Sequence, residues 1–465
     1  MLKLAAGLLS LCKLNTSFTQ QHYFCPNFDM KKNILILFLF FTIAKSGLAQ
    51  DTVKRQLYNF HFQETIITQT NLPFNAPYTG KNSLLPTTQT ETSLTTTFYL
   101  ATRLWKGAEA YFNPELSGGA GLSSTLGVAG FPNGETFRVG GVQNKIYIGR
   151  LYFKQNFEWG KEKDTIENDV NQLAGLKSKR YFSIAAGKFG MADFFDGNNV
   201  SHDPRMQFMN WALMDNGAWD YPANTRGYTI GLYTELGQPT WTLRFAFTMN
   251  VTQANSSTWD AKIAKANTQT IEYEKRYDIN GQKGTLRLLG FLNNGKFGNY
   301  DLAIAQNPKA PVIDSTQQYG RHKYGFGINT DQYLTKDFAL FAKASWNDGH
   351  TETWFFTEID RSFTFGGSLH GTQWKRPDDE LGLAFIADGL SAPHRQYLAD
   401  GGYGFIIGDG RLNYAPELIT EVYYRINAYQ KKFFISPDYQ FIINPAYNTD
   451  RGPVNVFGLR AHVEF

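Results

Sequence analysis

Along most of the chain, apolar and polar residues alternate with a period of two. In residues 241–250 one face carries Trp241, Leu243, Phe245, Phe247 and Met249, and the other Thr242, Arg244, Ala246, Thr248 and Asn250. Residues 457–465 repeat the pattern, with Phe457, Leu459, Ala461, Val463 and Phe465 opposite Gly458, Arg460, His462 and Glu464. Residues 420–426 set Val422, Tyr424 and Ile426 against Glu421, Tyr423 and Arg425, and residues 338–346 and 94–104 alternate less strictly. Successive side chains of a strand point to opposite faces, so these segments predict strands with one apolar face and one polar or charged face. Asn-Gly and Gly-Asn steps, such as Asn293-Asn294-Gly295, read as turns, and the polar stretches 160–171 and 252–269 read as loops or tips.

Two architectures give such a pattern: a soluble sandwich with one wet face, or a membrane barrel whose wet face lines a lumen. Aromatic residues near the strand ends suit the interfacial girdles of a barrel. The chain also ends on Phe465, which completes the apolar face of its last segment, as outer-membrane barrels characteristically do. Mean hydropathy is −0.36, so the polar average leaves a barrel as the route into a membrane. The expectation is a single all-β domain, residues 50–465, forming a transmembrane antiparallel β-barrel. Roughly ten residues per strand, with alternating short turns and long loops, suits about 16 strands in about 415 residues.

The N-terminus predicts export. Met30 opens a short basic segment with Lys31 and Lys32, the apolar run 34–43 follows, and Gly47-Leu48-Ala49 offers a small-x-small cleavage pattern before Gln50. That apolar core is too short to span a bilayer but suits a signal peptide. Residues 30–49 are therefore expected to be the leader, and residues 1–29 an over-extended start. Both cysteines, Cys12 and Cys25, precede Met30, so the exported chain would have no disulfide or thiolate chemistry. Residues 1–49 hold Lys3, Lys13, Lys31, Lys32 and Lys45 against Asp29, a net of +4 that equals the +4 of the whole chain. The remaining chain is formally neutral, which removes any electrostatic case for a nucleic-acid partner.

An ordered series of short segments carries more specific information. Pro73-Phe74-Asn75-Ala76-Pro77-Tyr78, Gly80-Lys81-Asn82-Ser83-Leu84, Trp105-Lys106-Gly107-Ala108-Glu109 and Asn113-Pro114-Glu115 come first. The glycine-rich run from Gly121 through Phe131-Pro132-Asn133-Gly134-Glu135 follows, then Gly187-Lys188-Phe189, His202-Asp203-Pro204-Arg205, Asn210-Trp211-Ala212 and Trp219-Asp220-Tyr221. Arg376-Pro377-Asp378-Asp379, Asn444-Pro445-Ala446-Tyr447-Asn448 and Asp450-Arg451-Gly452-Pro453-Val454 close the series. In this order the segments resemble the carbohydrate-selective porin family, the OprB-type sugar porins, from about residue 60 to residue 465. The resemblance implies a bacterial outer-membrane barrel of sixteen strands, passive diffusion of sugars, and a loop folded inward to narrow the lumen. Its partners would be small sugars as solute, outer-membrane lipid, and the barrel-assembly machinery during insertion.

The residues can also be weighed by chemistry. Sugar hydroxyls suit planar, bidentate polar groups, and aromatic faces suit the C–H side of the ring. Residues 109–150 offer Glu109, Asn113, Glu115, Arg138 and Arg150, and residues 202–226 offer Asp203, Arg205, Trp211, Asp215, Trp219, Asp220 and Arg226. For each, the competing role is an ion pair or hydrogen bond that anchors a loop. Arg138 follows the glycine-rich stretch 118–134, and Arg150 alternates with Ile148 and Tyr152 on a face shared with Lys154, so these two lead as lumen candidates. Asp203-Pro204-Arg205 and Arg376-Pro377-Asp378-Asp379 read first as rigid turns, and Gly118-Gly119 and Gly127 as turn formers.

Other functions have weaker support. An outer-membrane barrel enzyme acting on lipid or glycan would need a nucleophile, a base and an orienting group together. His202, His350, His370 and His394 have serines nearby, but no G-x-S-x-G or H-E-x-x-H motif occurs. Asp378-Asp379 are adjacent, so on a strand they face opposite ways. No enzyme activity, cofactor or metal is expected. A porin for other small solutes is the alternative within transport.

Overall fold

The computed structural model describes residues 55–136 and 144–465. The expected leader, its start at Met30 and its cleavage before Gln50 lie outside the described residues, as does Arg138. β1 (Tyr58–Asn71), β2 (Gln89–Arg103), β3 (Ala108–Gly119) and β4 (Lys145–Ile166) begin the wall, followed by β5 (Gly175–Phe189), β6 (Thr229–Gln238), β7 (Trp241–Met249) and β8 (Asn267–Ile279). β9 (Gln282–Gly295), β10 (Arg321–Tyr333), β11 (Phe338–Asn347) and β12 (Arg361–Gly371) continue it. β13 (Arg376–Gly389), β14 (Glu417–Tyr429), β15 (Phe433–Ile443) and β16 (Val454–Glu464) complete the ring. Each strand pairs with its neighbours in sequence, and β1 pairs antiparallel with β16 to close the barrel.

The alternation decides between sandwich and membrane barrel because it is turned inside out. On β7, Leu243 and Phe245 are 37% and 40% exposed on the outer face, while Thr242 and Ala246 are buried inside. On β16, Phe457 and Leu459 stand outside, and Arg460 and His462 are buried within. On β14 the charged face, with Glu421, Tyr423 and Arg425, is the inner one. A water-soluble protein hides its apolar face; this one presents it all round, as a wall surrounded by hydrocarbon requires. Trp105 and Trp374 stand exposed in the β2–β3 and β12–β13 turns, where a girdle would sit. Among the described residues no helix is long and apolar enough to cross a membrane.

Connections alternate in length. Those after even-numbered strands are mostly tight, such as Asn280-Gly281 between β8 and β9, where both residues have positive φ (54° and 79°) as a type I′ hairpin needs. Those after odd-numbered strands are long, among them residues 190–228, 348–360 and 390–416. In barrels of this kind the tight turns face the periplasm and the long loops the exterior.

Several expectations need correction. Arg376-Pro377-Asp378-Asp379 opens β13 instead of forming a turn, and Gly118-Gly119 ends β3, paired with Leu94 and Ser93 of β2. Asn293-Asn294-Gly295 is the end of β9, not a turn; Asn293 points inward and donates to the Asp220 carbonyl at 2.7 Å. Residues 160–166, read as loop, extend β4 in a hairpin arm paired with β5. Ile148 does not share a face with Arg150, because the register shifts beside Asn113/Pro114, turning Ile148 outward and Tyr147 inward.

The long loops fold back into the lumen and are held by charges from the inner wall. The Glu417 carboxylate accepts N–H groups of Ala129 (3.1 Å), Gly130 (2.7 Å) and Ala446 (2.7 Å), and Glu421 those of Met209 (2.5 Å) and Asn210 (3.0 Å). Cations hold the opposite ends of peptide groups: Lys343 donates to the carbonyls of Ser201 and Leu213, and Arg460 to those of Pro204 and Gln207. Each of these side chains thereby meets oriented backbone dipoles, the Arg460 Nε alone among their nitrogens having no partner among the described residues. Between them the loops build an aromatic core, with Phe131 stacked on Trp211 at 4.9 Å and Trp211 and Tyr221 both against Phe356. Gly127 (φ +80°), expected as a turn former, instead bridges Ser83 and lies so close to Leu84 that a Cβ would collide with its backbone.

Candidate functional site

Gln63 of β1, Tyr99 of β2 and Arg150, Tyr152 and Lys154 of β4 face the turn 167–174 and the loop 190–228 across a cavity of about 490 Å³. Asp203-Pro204-Arg205 forms the expected tight turn: an Asp203 carboxylate oxygen accepts the Arg205 N–H at 2.9 Å. The turn aims the Arg205 side chain at the wall. Its Nε donates to Glu135 at 3.0 Å, its Nη1 reaches Tyr99 (3.0 Å), Thr97 (3.1 Å) and Gln63 (3.3 Å), and its Nη2 lies 3.5 Å from Glu115. Burial pushes the Glu135 carboxyl up, against the pull of Arg205. Nearly every donor of this guanidinium is engaged, so Arg205 chiefly ties the loop to the wall.

Arg150 is arranged differently. From β4 it grips Asp193 with two parallel bonds, Nε at 2.7 Å and Nη2 at 2.5 Å, and its guanidinium lies over the Tyr228 ring at 5.2 Å. Its Nη1 has only a 3.5 Å contact with the Tyr228 hydroxyl. Arg226 donates from Nη1 to Ser117 at 2.8 Å and lies 4.4 Å over Tyr147. A guanidinium carries five N–H donors, so among the described residues both retain unused ones at a cavity whose lining also includes Tyr99, Tyr221 and Tyr228. His202 closes another side; burial works to lower its pKa, but Asp215, 3.5 Å away, carries it upward.

Of the residues singled out by chemistry, Arg150, Asp203, Arg205 and Arg226 line this cavity together. Asp215 sits behind His202. Glu115 is buried in the wall, accepting from Thr97 (2.7 Å), Tyr228 (3.0 Å) and Tyr147. The structure moves Trp211, Trp219 and Asp220 away from the cavity: the two indoles are buried in the aromatic core, and Asp220 accepts the N–H groups of Trp354 (2.9 Å) and Phe355 (3.0 Å). Their residue types suited sugar, but ring packing and loop anchorage occupy them. Sequence reasoning passed over Tyr99, Glu135, Asp193 and Tyr228. Glu135 ended a quoted motif and Tyr99 lay in an alternating segment; nothing marked Asp193.

A second cavity, about 460 Å³, lies toward the short-turn end and shares Lys154, Asn171 and Gln172 with the first. Its roof is the β4–β5 turn, residues 167–174, folded inward. Asn113 donates to Asn171 at 2.9 Å, Asn59 to the Gln172 carbonyl at 2.8 Å, and Arg103 to the Leu173 carbonyl at 3.1 Å. Glu109 lines this second cavity, bound to Arg103 at 3.2 Å and accepting from Tyr111 at 2.7 Å. Lys154 on the wall and Asn171 and Gln172 on the turn thus border both cavities. Among the described residues no three His, Cys, Asp or Glu side chains converge as metal ligands.

The family model for carbohydrate-selective porins, the OprB family, matches residues 81–465. No curated protein matches the chain. Among solved structures, OprB of Pseudomonas putida, in a high-pH structure, superposes with a TM-score of 0.66 at 16% identity, covering 88% of this chain and 94% of that one. That superposition shows the same barrel fold. The DcaP channel of Acinetobacter baumannii (TM-score 0.45, 11% identity, 90% of this chain and 100% of that one) and a loop-deleted OmpT of Vibrio cholerae (0.45, 10%, 88% and 100%) are more distant.

Proposed function

This chain belongs to the carbohydrate-selective porin family, OprB, and we propose that sugars diffuse through it past Arg150 and Arg226, whose free donors meet their hydroxyls. It is an outer-membrane sugar porin. The observation that carries the assignment of residues is the posture of Arg150: Asp193 fixes its plane, a tyrosine ring backs it, and the remaining N–H donors have no close partner among the described residues. Such a group exchanges hydrogen bonds with water for bonds to vicinal hydroxyls at little ordering cost, while the neighbouring tyrosines offer faces to C–H bonds. Neutral hydroxyls bind weakly, as a conducting pathway needs, so each solute leaves as readily as it enters. Arg138 stays in this reading on its sequence position alone.

No reaction is part of it. The histidines support a scaffold role: His394 pairs with Asp360 at 3.0 Å at a buried helix start, where the Ser391 hydroxyl donates to the Gly349 carbonyl instead of facing the imidazole. The outward apolar belt supports lipid as the surrounding partner, and the terminal strand supports engagement by the assembly machinery. Residues 30–49 fit a leader removed at export, behind an over-extended start at 1–29.

The test is solute flux into liposomes carrying the purified protein, comparing sugars of rising size with amino acids. Sugars should enter fastest, with a size cut-off. In bilayers, Arg138→Ala with Arg150→Ala should raise ion conductance and weaken block of the current by sugar, while Arg376→Ala, which loses bonds to Asp379 and the Asn427 carbonyl at the short-turn end, should leave both unchanged. Wild-type conductance and block in the double variant would place the constriction elsewhere.

A further inference from the structure

Cations on the inner wall are mostly paired. Arg244 contacts Glu235 (2.9 Å), Glu272 (2.6 Å) and Glu274 (3.0 Å), and Arg287 contacts Glu274 (3.3 Å) and Asp331 (2.8 Å). The cavity at the short-turn end breaks this rule. Arg55, Arg103, Lys106, Lys154, Lys163 and Lys177 line it, against two carboxylates, Glu109 and Glu158. Arg103 is matched by Glu109 at 3.2 Å, and Glu158 accepts the Ser178 N–H at 3.1 Å. Among the described residues Arg55 and the four lysines have no carboxylate within 4.0 Å. Glu235, the nearby acid on β6, is taken up by Arg244 and by the hydroxyls of Tyr181 (2.6 Å) and Tyr233 (2.5 Å). The Lys177 ammonium lies 3.5 Å from the centre of the Tyr181 ring.

Unmatched ammonium groups are ordinary on an open rim, but here the inward turn 167–174 roofs the space, and Lys154 and Lys177 are half-buried. Lys154 borders both cavities and is four residues from Arg150 on β4, about 13 Å along the strand, so positive side chains continue from one cavity into the next. A confined site lined by one sign of charge concentrates solutes of the other sign. We propose that this cavity is a second subsite, at the periplasmic end, for sugars bearing a negative charge, such as a carboxylate or phosphate. The proposal rests on the porin reading and adds a substrate class to it.

Three solutes of one size separate the ideas: radiolabelled glucose, glucuronate and glucosamine, followed into neutral phosphatidylcholine vesicles with and without the full-length exported protein. Glucuronate should enter faster than glucosamine by about tenfold or more, the lower end of electrostatic enhancement in focused clefts. Lys163→Gln with Lys177→Gln should bring the ratio near unity and leave glucose entry unchanged. Should that variant lose its heat-modifiable gel migration, Lys106→Gln in the exposed β2–β3 turn, and wild-type protein in 1 M KCl, where the screening length falls to about 3 Å, supply the same test. A wild-type ratio at or below one, or a ratio that survives both neutralisation and salt, overturns the subsite. Glucuronate entry without glucose entry would sink the neutral-sugar reading and leave the subsite standing; entry of neither sinks both.

Discussion

At the long-loop end of the barrel, Glu417 and Glu421 each accept backbone N–H groups from loops that cross the lumen, while at the short-turn end Lys163 and Lys177 face a cavity with no acidic partner among the described residues. Both sets occupy the polar side of an alternating strand. What separates them is whether a loop returns to meet them. Where it does, a wall charge becomes an anchor, and its desolvation is offset by aligned amides. Where only a short turn returns, the charge stays open to whatever passes. Residue type on the inner face therefore does not distinguish a solute contact from a scaffold; the spare donor count does, as Arg205 and Arg150 show within one cavity.

The wall serves both ends, so breaking it should have the largest effect. β16 pairs with β1 over 456–464 and with β15 over 454–463, and the Phe465 N–H donates to the Phe62 carbonyl at 3.0 Å. Deleting residues 457–465 leaves two edges with unpaired backbone groups in hydrocarbon, each costing several kcal/mol. Heat-modifiable migration and recovery from the outer membrane should both be lost. Normal assembly would mean that closure does not depend on this strand.

Breaking the anchors should separate the two ends. Glu421→Ala leaves the Met209 and Asn210 amides without their partner, at about 1–3 kcal/mol apiece. The sixteen-strand ladder does not use that side chain, so the barrel should still form and still shift on heating. The loop 190–228 should detach locally, read as faster amide exchange there and raised single-channel conductance. The preference between glucuronate and glucosamine, set at the other end, should persist. Loss of the barrel itself would show that loops and wall fold as one unit.

The same contrast explains what could be read from the sequence. The wall was legible because its period of two is local: residues 241–250 and 457–465 coincide closely with β7 and β16. Arg150 was legible as a lumen residue for the same reason, although the bulge beside Pro114 displaced Ile148 from its face. The plug was not legible. That Glu417 would meet Gly130, or Glu421 Asn210, depends on pairings across hundreds of residues that leave no periodic trace. Trp211 and Trp219 looked like sugar platforms because an aromatic residue beside charges has one composition whether it packs on Phe131 or on a solute. Asn293-Asn294-Gly295 matched turn chemistry, but the lumen made use of its amide side chain instead.

The smallest expected effect is a pH dependence confined to the long-loop end. Glu352, in the β11–β12 loop, accepts the Gly298 N–H and a bond from Gln317 at 3.3 Å. Burial holds its carboxyl up at about 7, the Gly298 amide and Gln317 pull against that, Asp314 adds to it, and Lys323 opposes it weakly. The folded loop thus binds this proton more tightly than the unfolded chain. Its contribution is fully present below the ordinary carboxylate range and is lost as pH rises through about 7, a swing of up to about 3 kcal/mol. Amide exchange in residues 296–320 and 348–360, corrected for intrinsic rates, should be slower at pH 5.5 than at pH 8, with the β1–β16 ladder unchanged. Glu352→Gln keeps a neutral side chain of the same shape and should hold the slow rate at both values. His350 and Asp301, 3.3 Å apart on the same loops, are exposed, and His350→Gln tests them separately. A pH effect that survives in Glu352→Gln but vanishes in His350→Gln would assign the switch to the imidazole and refute the role of Glu352.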